Sequence, residues 1–299
     1  MNTVIDLAQA TTETAGPKMG RLAELIRHDV DVPPGFVVTS AAYVNSRDGM
    51  PDALADEIAA AYRRLCGPDD APVVVRSSAV DEDGAKASFA GVYESFLGVC
   101  GADAVVNAVT ACWSGLHGER AIAYREQMAV GRTELSMAVG VMLMVPARCS
   151  GVAFTVDPVT GRDDRLIIEG SWGFGEPVVQ GMVTPDRVEV ADDGRVLRYE
   201  PGDKKIALVY TDDNRMQHVT LPAEQAHAPA LSASEAVTIA DRVRDVAEVA
   251  GEPVDCEWVL DDAGRVWIVQ WRLVTALPDN TAPLWDPAEY AARYAFRSV

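Results

Sequence analysis

The sequence is short of basic residues: 26 Lys and Arg stand against 45 Asp and Glu, a formal charge of −19. A surface this acidic gains nothing by releasing counterions from a polyphosphate backbone, so nucleic acid is excluded as the expected partner. Small anionic ligands are not excluded, because they need only a local cluster of Lys, Arg and backbone N–H groups. Cysteine is sparse: Cys66, Cys100, Cys112, Cys149 and Cys256 are scattered, odd in number and never paired as CxxC. This argues against a disulfide framework or a structural zinc site. No stretch approaches the roughly 18 consecutive apolar residues of a membrane span. The N-terminus has neither a basic n-region nor an apolar core. No membrane partner is expected, and the expected setting is reduced, soluble and cytoplasmic. No internal repeat is visible.

What is present is 48% hydrophobic residues in 299, enough for one large domain or two lobes around a cleft. Strands and helices alternate irregularly, which points to an α+β architecture. Leu22 to Arg27 reads as a short helix leading into the turn Asp31-Val32-Pro33-Pro34-Gly35, and Phe36 to Thr39 as a strand. Asp52 to Leu65 carries a helical apolar stripe. Val73 to Val75 is a short buried strand, and Asp103 to Met128 is mostly helical with Asp103 as N-cap. Ala138 to Val145 is an apolar strand, to which Gly151 to Val156 is expected to return antiparallel. Arg165 to Glu169 and Asp186 to Val190 are further strands. Ser232 to Ala250 is a helix with a Ser232/Glu235 capping box. Asp255 to Leu260 and Arg265 to Gln270 form a hairpin around Asp261-Asp262-Ala263-Gly264.

Four segments carry chemistry. Arg76 stands just beyond the strand Val73 to Val75, and the loop from Asp81 through Lys86 ends in Ser88-Phe89-Ala90-Gly91. Small residues there let backbone N–H groups approach phosphate oxygens, although an ordinary surface loop beside a strand-end Arg has the same look. In the C-terminal hairpin, Asp255 and Glu257 lie two apart, as do Gln270 and Arg272 on the partner strand, so each pair shares a face. Hard oxygen donors on rigid strands suit Mg²⁺ held against nucleotide phosphates. A solvated hairpin face with a cross-strand ion pair is the alternative. Glu169 to Glu176 is a glycine-rich turn in which Gly173 and Gly175 permit positive φ or close ligand approach. Lys18, between Gly16 and Gly20 and just before a helix, could reach phosphates at that helix N-terminus, or simply be a surface lysine.

In order along the chain, these segments resemble the ATP-binding domain of the pyruvate phosphate dikinase, phosphoenolpyruvate synthase and rifampin phosphotransferase family. The resemblance spans about residues 16 to 275. Lys18-Met19-Gly20-Arg21-Leu22-Ala23 with Val32 to Thr39 is similar to its N-terminal signature, and Arg76-Ser77-Ser78-Ala79 to Gly91 to its phosphate segment. Gly151-Val152-Ala153-Phe154-Thr155 with Asp157 to Gly161, Glu169 to Glu176, and Gln180 to Asp186 follow. Asp255-Cys256-Glu257-Trp258 through Gln270-Trp271-Arg272 closes the match.

The resemblance implies an ATP-grasp with two lobes clamping ATP over residues 1–275, and a linker or docking tail over 276–299. It implies that Lys18 and Arg76 bind phosphates under a loop through Ser88 and Gly91. Glu257 and Gln270 hold Mg²⁺, and Asp255 and Arg272 complete the site, with Lys18, Arg76 and Arg272 as the catalytic groups. Met142, Leu143 and Met144 present backbone groups to adenine, and Glu169 is a further pocket residue. Two departures stand out. Met142 replaces the Gln many relatives carry on the adenine strand, and Gln270-Trp271-Arg272-Leu273 replaces Gln-Ser-Arg-Pro. The four histidines, His28, His117, His218 and His227, sit in no glycine-rich Ser/Thr-His-Ala motif. The reading is an ATP-binding subunit that passes a phosphoryl group to a separate phosphohistidine protein. A stand-alone kinase or ligase acting on a small acceptor is one alternative, and a nucleotide sensor without turnover is another. Trp285, Tyr290, Tyr294 and Phe296 suggest that 277–299 docks a partner subunit or a second copy as a homodimer, or else folds back.

Overall fold

The computed structural model describes residues 2–79, 95–118, 136–211 and 213–274, with 83–84, 87–88 and 122 as short pieces between them. Gly91, most of the loop around it and the tail 276–299 lie outside the described residues. So does much of the expected helical stretch beyond residue 118.

The first half of the chain runs β1 (Val4–Asp6), α1 (Thr12–Arg27), β2 (Gly35–Val38), α2 (Ser40–Asn45), α3 (Asp52–Cys66) and β3 (Val73–Ala79). The two-residue strands β4 (Asp83–Gly84) and β5 (Ala87–Ser88) follow, then β6 (Ser95–Val99), α4 (Ala102–Gly115) and β7 (Met137–Leu143). Its main sheet has the order β1-β2-β7-β3-β6. Alternation along β3 sends Val73, Val75 and Ala79 into a core shared with α2, α3 and α4. Val74, Arg76 and Ser78 take the opposite face, where Ser78 Oγ accepts a hydrogen bond from the Met19 N–H at 3.4 Å. Helix α1 packs on that face, with Met19, Leu22 and Leu25 buried in a second core that continues into the rest of the chain.

The second half holds β8 (Cys149–Phe154), β9 (Arg165–Trp172), α5 (Glu176–Val179), β10 (Asp186–Ala191) and β11 (Val196–Glu200). A separate hairpin, β12 (Ile206–Tyr210) and β13 (Met216–Thr220), precedes α6 (Ala223–His227), α7 (Ala233–Ala250), β14 (Val254–Leu260) and β15 (Val266–Leu273). The larger sheet runs β11-β10-β9-β8-β14-β15, antiparallel throughout. Ala236, Ile239, Ala240, Val243 and Val246 of α7 are buried in the same core as Cys256, Trp258 and Ile268 of that sheet. Its edge strand β15 is stitched to the first half. Asp31 accepts the Ile268 N–H at 2.8 Å, and the Arg21 carbonyl accepts Trp271 Nε1 at 3.2 Å.

The α+β class and the two-lobed form agree with expectation, and several local expectations change. The first helix begins at Thr12 rather than Leu22, opened by a Thr11/Thr14 capping box and broken once at Gly16, φ +70°. A Cβ at Gly16 would stand 2.5 Å from the Ser78 carbonyl oxygen, so glycine serves both the turn and the close approach. Gly-Pro reads as a stop in sequence, yet Pro17 opens a new helical segment where its missing N–H costs little. Lys18 is therefore inside the first turn after the break. Asp103 is not the cap of α4; Gly101 is, and Asp103 lies in the first turn, where its charge suits the helix dipole. Strand β8 does not return along β7. It pairs with β9 and β14, because the segment around Pro146 carries the chain from one sheet to the other. Arg76 is within β3, not beyond its end.

Candidate functional site

Register across the larger sheet aligns Arg187, Glu169, Val152, Glu257 and Gln270 on β10, β9, β8, β14 and β15. Two residues along, Asp255 faces Arg272 on one side and Phe154 on the other. Directly paired side chains share a face, so these polar groups lie together. Their neighbours Cys256, Trp258, Ala153 and Ile168 point to the opposite side and are buried. The hairpin thus brings together the residues expected from it: Asp255 with Arg272, and Glu257 with Gln270.

Asp255 Oδ2 accepts from Arg272 Nε at 2.7 Å. Burial pushes the Asp255 carboxyl above its ordinary range, and the guanidinium offsets this only in part. Glu169 is bound by Arg187 Nη1 at 3.1 Å, and the same guanidinium reaches Asp157 Oδ2 at 3.2 Å. Burial alone would raise Asp157. The Val159 and Thr160 N–H donors and Arg187 outweigh it and hold the carboxyl below its usual value.

Arg76 crosses from the first sheet to this polar face. Its Nη1 donates to the Val269 carbonyl at 3.0 Å, its Nη2 donates to Gln270 Oε1, and Nη2 lies 3.6 Å from Glu257 Oε2. The Arg76 side chain is 13% exposed and that of Glu257 28%, so water screens this contact only partly. Lys18 belongs to the α1 turn that abuts Ser78, two residues along β3 from Arg76, and is half-buried. Ser88 falls in β5, opposite Asp83.

On β7, the strand expected to face adenine, Met142 is buried and pairs with Gly35 and Val74 on either side. Its side chain belongs to the core with α1, an apolar setting that suits a thioether. The Leu143 and Met144 N–H groups donate to Pro34 O and Pro72 O, at 2.8 and 2.9 Å. These donors are engaged within the protein. Of the three residues, Met144 lines a neighbouring apolar cavity of about 200 Å³ with Pro72, Pro146, Phe174, Val209 and Tyr210.

The structure adds Tyr210, Cys100 and Lys204, which the sequence did not single out. Tyr210 closes the cavity from the β12–β13 hairpin, and its hydroxyl lies 3.1 Å from Cys100 Sγ of the first lobe. Burial, then the contact with Cys100, pushes the Tyr210 phenol up to about 12. Gly173, φ +72°, lets the chain turn against the Leu208 carbonyl, which accepts the Phe174 N–H at 2.9 Å. Gly175 needs no such freedom, at φ −72°. Below the hairpin, Lys204 and Asp186 form a wholly buried ion pair. Only the aromatic or charged identity of these residues was visible beforehand; nothing in their spacing ties Phe174 to Tyr210.

Comparison with known proteins places the chain in a family. The family model described as "Pyruvate phosphate dikinase, AMP/ATP-binding domain" matches residues 44–284, a span that holds Arg76 and the hairpin and begins after Lys18. A probable phosphoenolpyruvate synthase of Methanothermobacter thermautotrophicus is 35% identical, aligned over 92% of this chain and 46% of its own length. The phosphoenolpyruvate synthase of Aeropyrum pernix is 34% identical, over 82% of this chain and 38% of its own. The prodigiosin synthesizing transferase PigC of Serratia marcescens is 34% identical, over 87% and 31%. The chain therefore spans less than half the length of these relatives. Among solved structures, D-alanyl-alanine synthetase A from Vibrio cholerae covers 85% of this chain and 54% of its own, at 13% identity and a TM-score of 0.38. No described helix is long and apolar enough to cross a membrane.

Proposed function

Because the chain belongs to the pyruvate phosphate dikinase AMP/ATP-binding domain family, we propose that it binds ATP between its two sheets and catalyses phosphoryl transfer from it. The observation that carries this reading is the meeting of Arg76 with Glu257 and Gln270. A guanidinium from one lobe and two oxygen donors from the other converge at one point, which is the arrangement a triphosphate with a divalent cation needs. The Met144–Phe174–Tyr210 cavity takes the base, whose flat apolar faces suit those side chains. Lys18, Arg76 and Arg272 face the phosphates.

The residues fit Mg²⁺. Glu257 and Gln270 offer hard oxygens already turned toward one cationic group. Among the described residues no three His, Cys, Asp or Glu side chains gather to hold a metal alone. That suits a cation which completes its shell with waters and phosphate oxygens. When bound, it would offset the charge on the group being transferred. Arg76 and Lys18 hold that group in line, and the sheet beneath them fixes the acceptors Glu257 and Gln270 without a folding step at the moment of reaction.

The phosphoryl acceptor we propose is a histidine of a separate phosphohistidine protein. None of the chain's own histidines stands in the polar row. His117 bonds the Tyr43 hydroxyl at 3.0 Å, His227 lies 3.8 Å from Asp203, and His28 and His218 are exposed elsewhere. Incubation with β- and γ-labelled ATP, alone and with a candidate phosphohistidine protein, tests the reading. Label on that protein's histidine, absent when this chain is omitted, is the expected result. Label delivered to a small acceptor by this chain alone would replace it with direct kinase action, and no ATP consumption under either condition would overturn it.

A further inference from the structure

The oxygen donors assigned to a divalent cation already serve a cation that belongs to the protein. Arg76 Nη2 donates to Gln270 Oε1 and stands 3.6 Å from Glu257 Oε2, while Nη1 is tied to the Val269 carbonyl. We propose that Arg76 is an exchangeable occupant of the cation site. A divalent ion binding Glu257 and Gln270 evicts the guanidinium, and the evicted guanidinium becomes a ligand of the nucleotide phosphates. This rests on the ATP and metal reading above and concerns the order and coupling of its steps.

Arg76 and the cation share their acceptors. Gln270 has one carboxamide oxygen, and Arg76 holds it. A guanidinium and a dication cannot occupy the same oxygen within contact distance in a partly buried site, because their charges repel strongly there. The neighbouring acid is not a spare partner for Arg76, since Asp255 is taken by Arg272 at 2.7 Å. The β3 backbone cannot follow the side chain, because β3 is hydrogen-bonded to β7 along its length and to β6 as well. Exchange is therefore a swing of the Arg76 side chain from a fixed Cα. A freed guanidinium has five N–H donors in a planar fork that matches phosphate oxygens. Metal and nucleotide then favour one another through one residue: the ion releases Arg76, and the phosphates give it a place to go. Glu257 is neutralised by one cation or the other throughout.

The test has an unusual sign. Mn²⁺ binding is titrated by loss of the free-ion EPR signal, using the protein alone, Arg76→Met and Glu257→Ala. A non-hydrolysable ATP analogue is then titrated by calorimetry with and without saturating Mg²⁺. Arg76→Met, although it removes a residue assigned to ATP, is expected to bind Mn²⁺ roughly fivefold or more tightly than wild type. It is also expected to lose most of the gain in analogue affinity that Mg²⁺ confers on wild type. Arg76→Lys, which keeps the charge without the fork, falls between the two and carries the test should Arg76→Met not fold. Mn²⁺ affinity in the Arg76 variants equal to or weaker than wild type overturns the exchange, while Mn²⁺ binding lost in Glu257→Ala leaves the metal reading standing. If no protein binds Mn²⁺, even with the analogue present, the metal reading itself fails and the exchange with it.

Discussion

Replacing Lys204 by Met probes how the hairpin beside the cavity proposed for the base is held. Lys204 and Asp186 have no exposed side-chain surface. Lys204 Nζ donates to Asp186 Oδ1 and, at 3.3 Å, to the Gly202 carbonyl. Asp186 also accepts the Gly202 N–H at 2.8 Å, the Ala230 N–H at 2.6 Å and the Tyr199 hydroxyl at 3.0 Å. Met keeps the aliphatic bulk and deletes the charge. Breaking one side of a buried ion pair costs about 3–5 kcal/mol, because the other charge is stranded. The three neutral donors left to Asp186 place Lys204→Met at the lower end, about 3 kcal/mol. Asp186→Asn leaves the ammonium without a counter-charge and turns one acceptor oxygen into a donor facing other donors, and should cost more, about 5 kcal/mol. Unfolding entropy of about 2.1 cal/mol/K per residue gives about 0.6 kcal/mol/K for this chain, so 3 kcal/mol lowers Tm by about 5 °C. Urea titration and calorimetry of both single variants and the double variant measure this. The double variant should lose at least about 1 kcal/mol less than the two singles together. A Lys204→Met loss below about 1 kcal/mol, or strict additivity, refutes the view that the pair is coupled and buried. Lys204 lies two residues before β12, so losing its side-chain anchor on Asp186 should also loosen that hairpin and weaken ATP binding.

Three further outcomes are expected. Glu257→Ala and Gln270→Ala should each reduce Mg²⁺-dependent ATP turnover more than metal-free nucleotide binding, and equal loss in both assays would remove them from the metal site. Tyr210→Ala should weaken ATP binding about 5- to 30-fold, the equivalent of about 1–2 kcal/mol of lost ring contact, with Tyr210→Phe close to wild type in calorimetric titrations; an unchanged Kd for the alanine variant would take the base out of this cavity. Asp157 has a folded pKa below its unfolded value of about 3.9, so its contribution is present above that pH and lost as pH falls through the folded value. Melts at pH 6 and pH 3 should show Asp157→Asn about 1–3 kcal/mol less stable at pH 6 and the gap narrowed at pH 3; a constant gap would contradict the ionised, hydrogen-bonded carboxylate.

The sequence made the C-terminal hairpin legible because a two-residue period fixes faces without tertiary information. Once Asp255 and Glu257 are on one strand and Gln270 and Arg272 on the next, a turn at Asp261 to Gly264 sets which residues meet. The helix α7 was equally plain from its capping box. Arg76 was expected at the site but not as a bridge, since its contact with Gln270 spans 194 positions and no local pattern encodes it. The start of α1 was hidden by Gly16-Pro17, where the chain turns closely against Ser78 on a distant strand. The β12–β13 hairpin lacks a strong amphipathic signal: three of its five β13 residues are exposed. Its role depends on Phe174 and Cys100, which only the fold brings to it. The pairing of β8 failed as an expectation because a proline-bearing crossover and a tight turn look alike over a few residues.

The seam between Asp31 and the last strand has a consequence for how the chain reaches its native state. The side chains of Asp31 and Arg265 meet across 234 positions, and Trp271 meets Arg21 across 250. Closing a loop of that length costs on the order of 5 kcal/mol beyond the constant for any loop, and contacts this distant slow folding. At ~5–20 residues per second of synthesis, α1 waits on the order of 10–50 s for the strand that covers it. During that interval Leu22 and Leu25 lack the part of their core that β15 supplies, and the uncovered seam is open to another nascent chain. Strand β15, made long after α1, is thus the piece that covers the first helix.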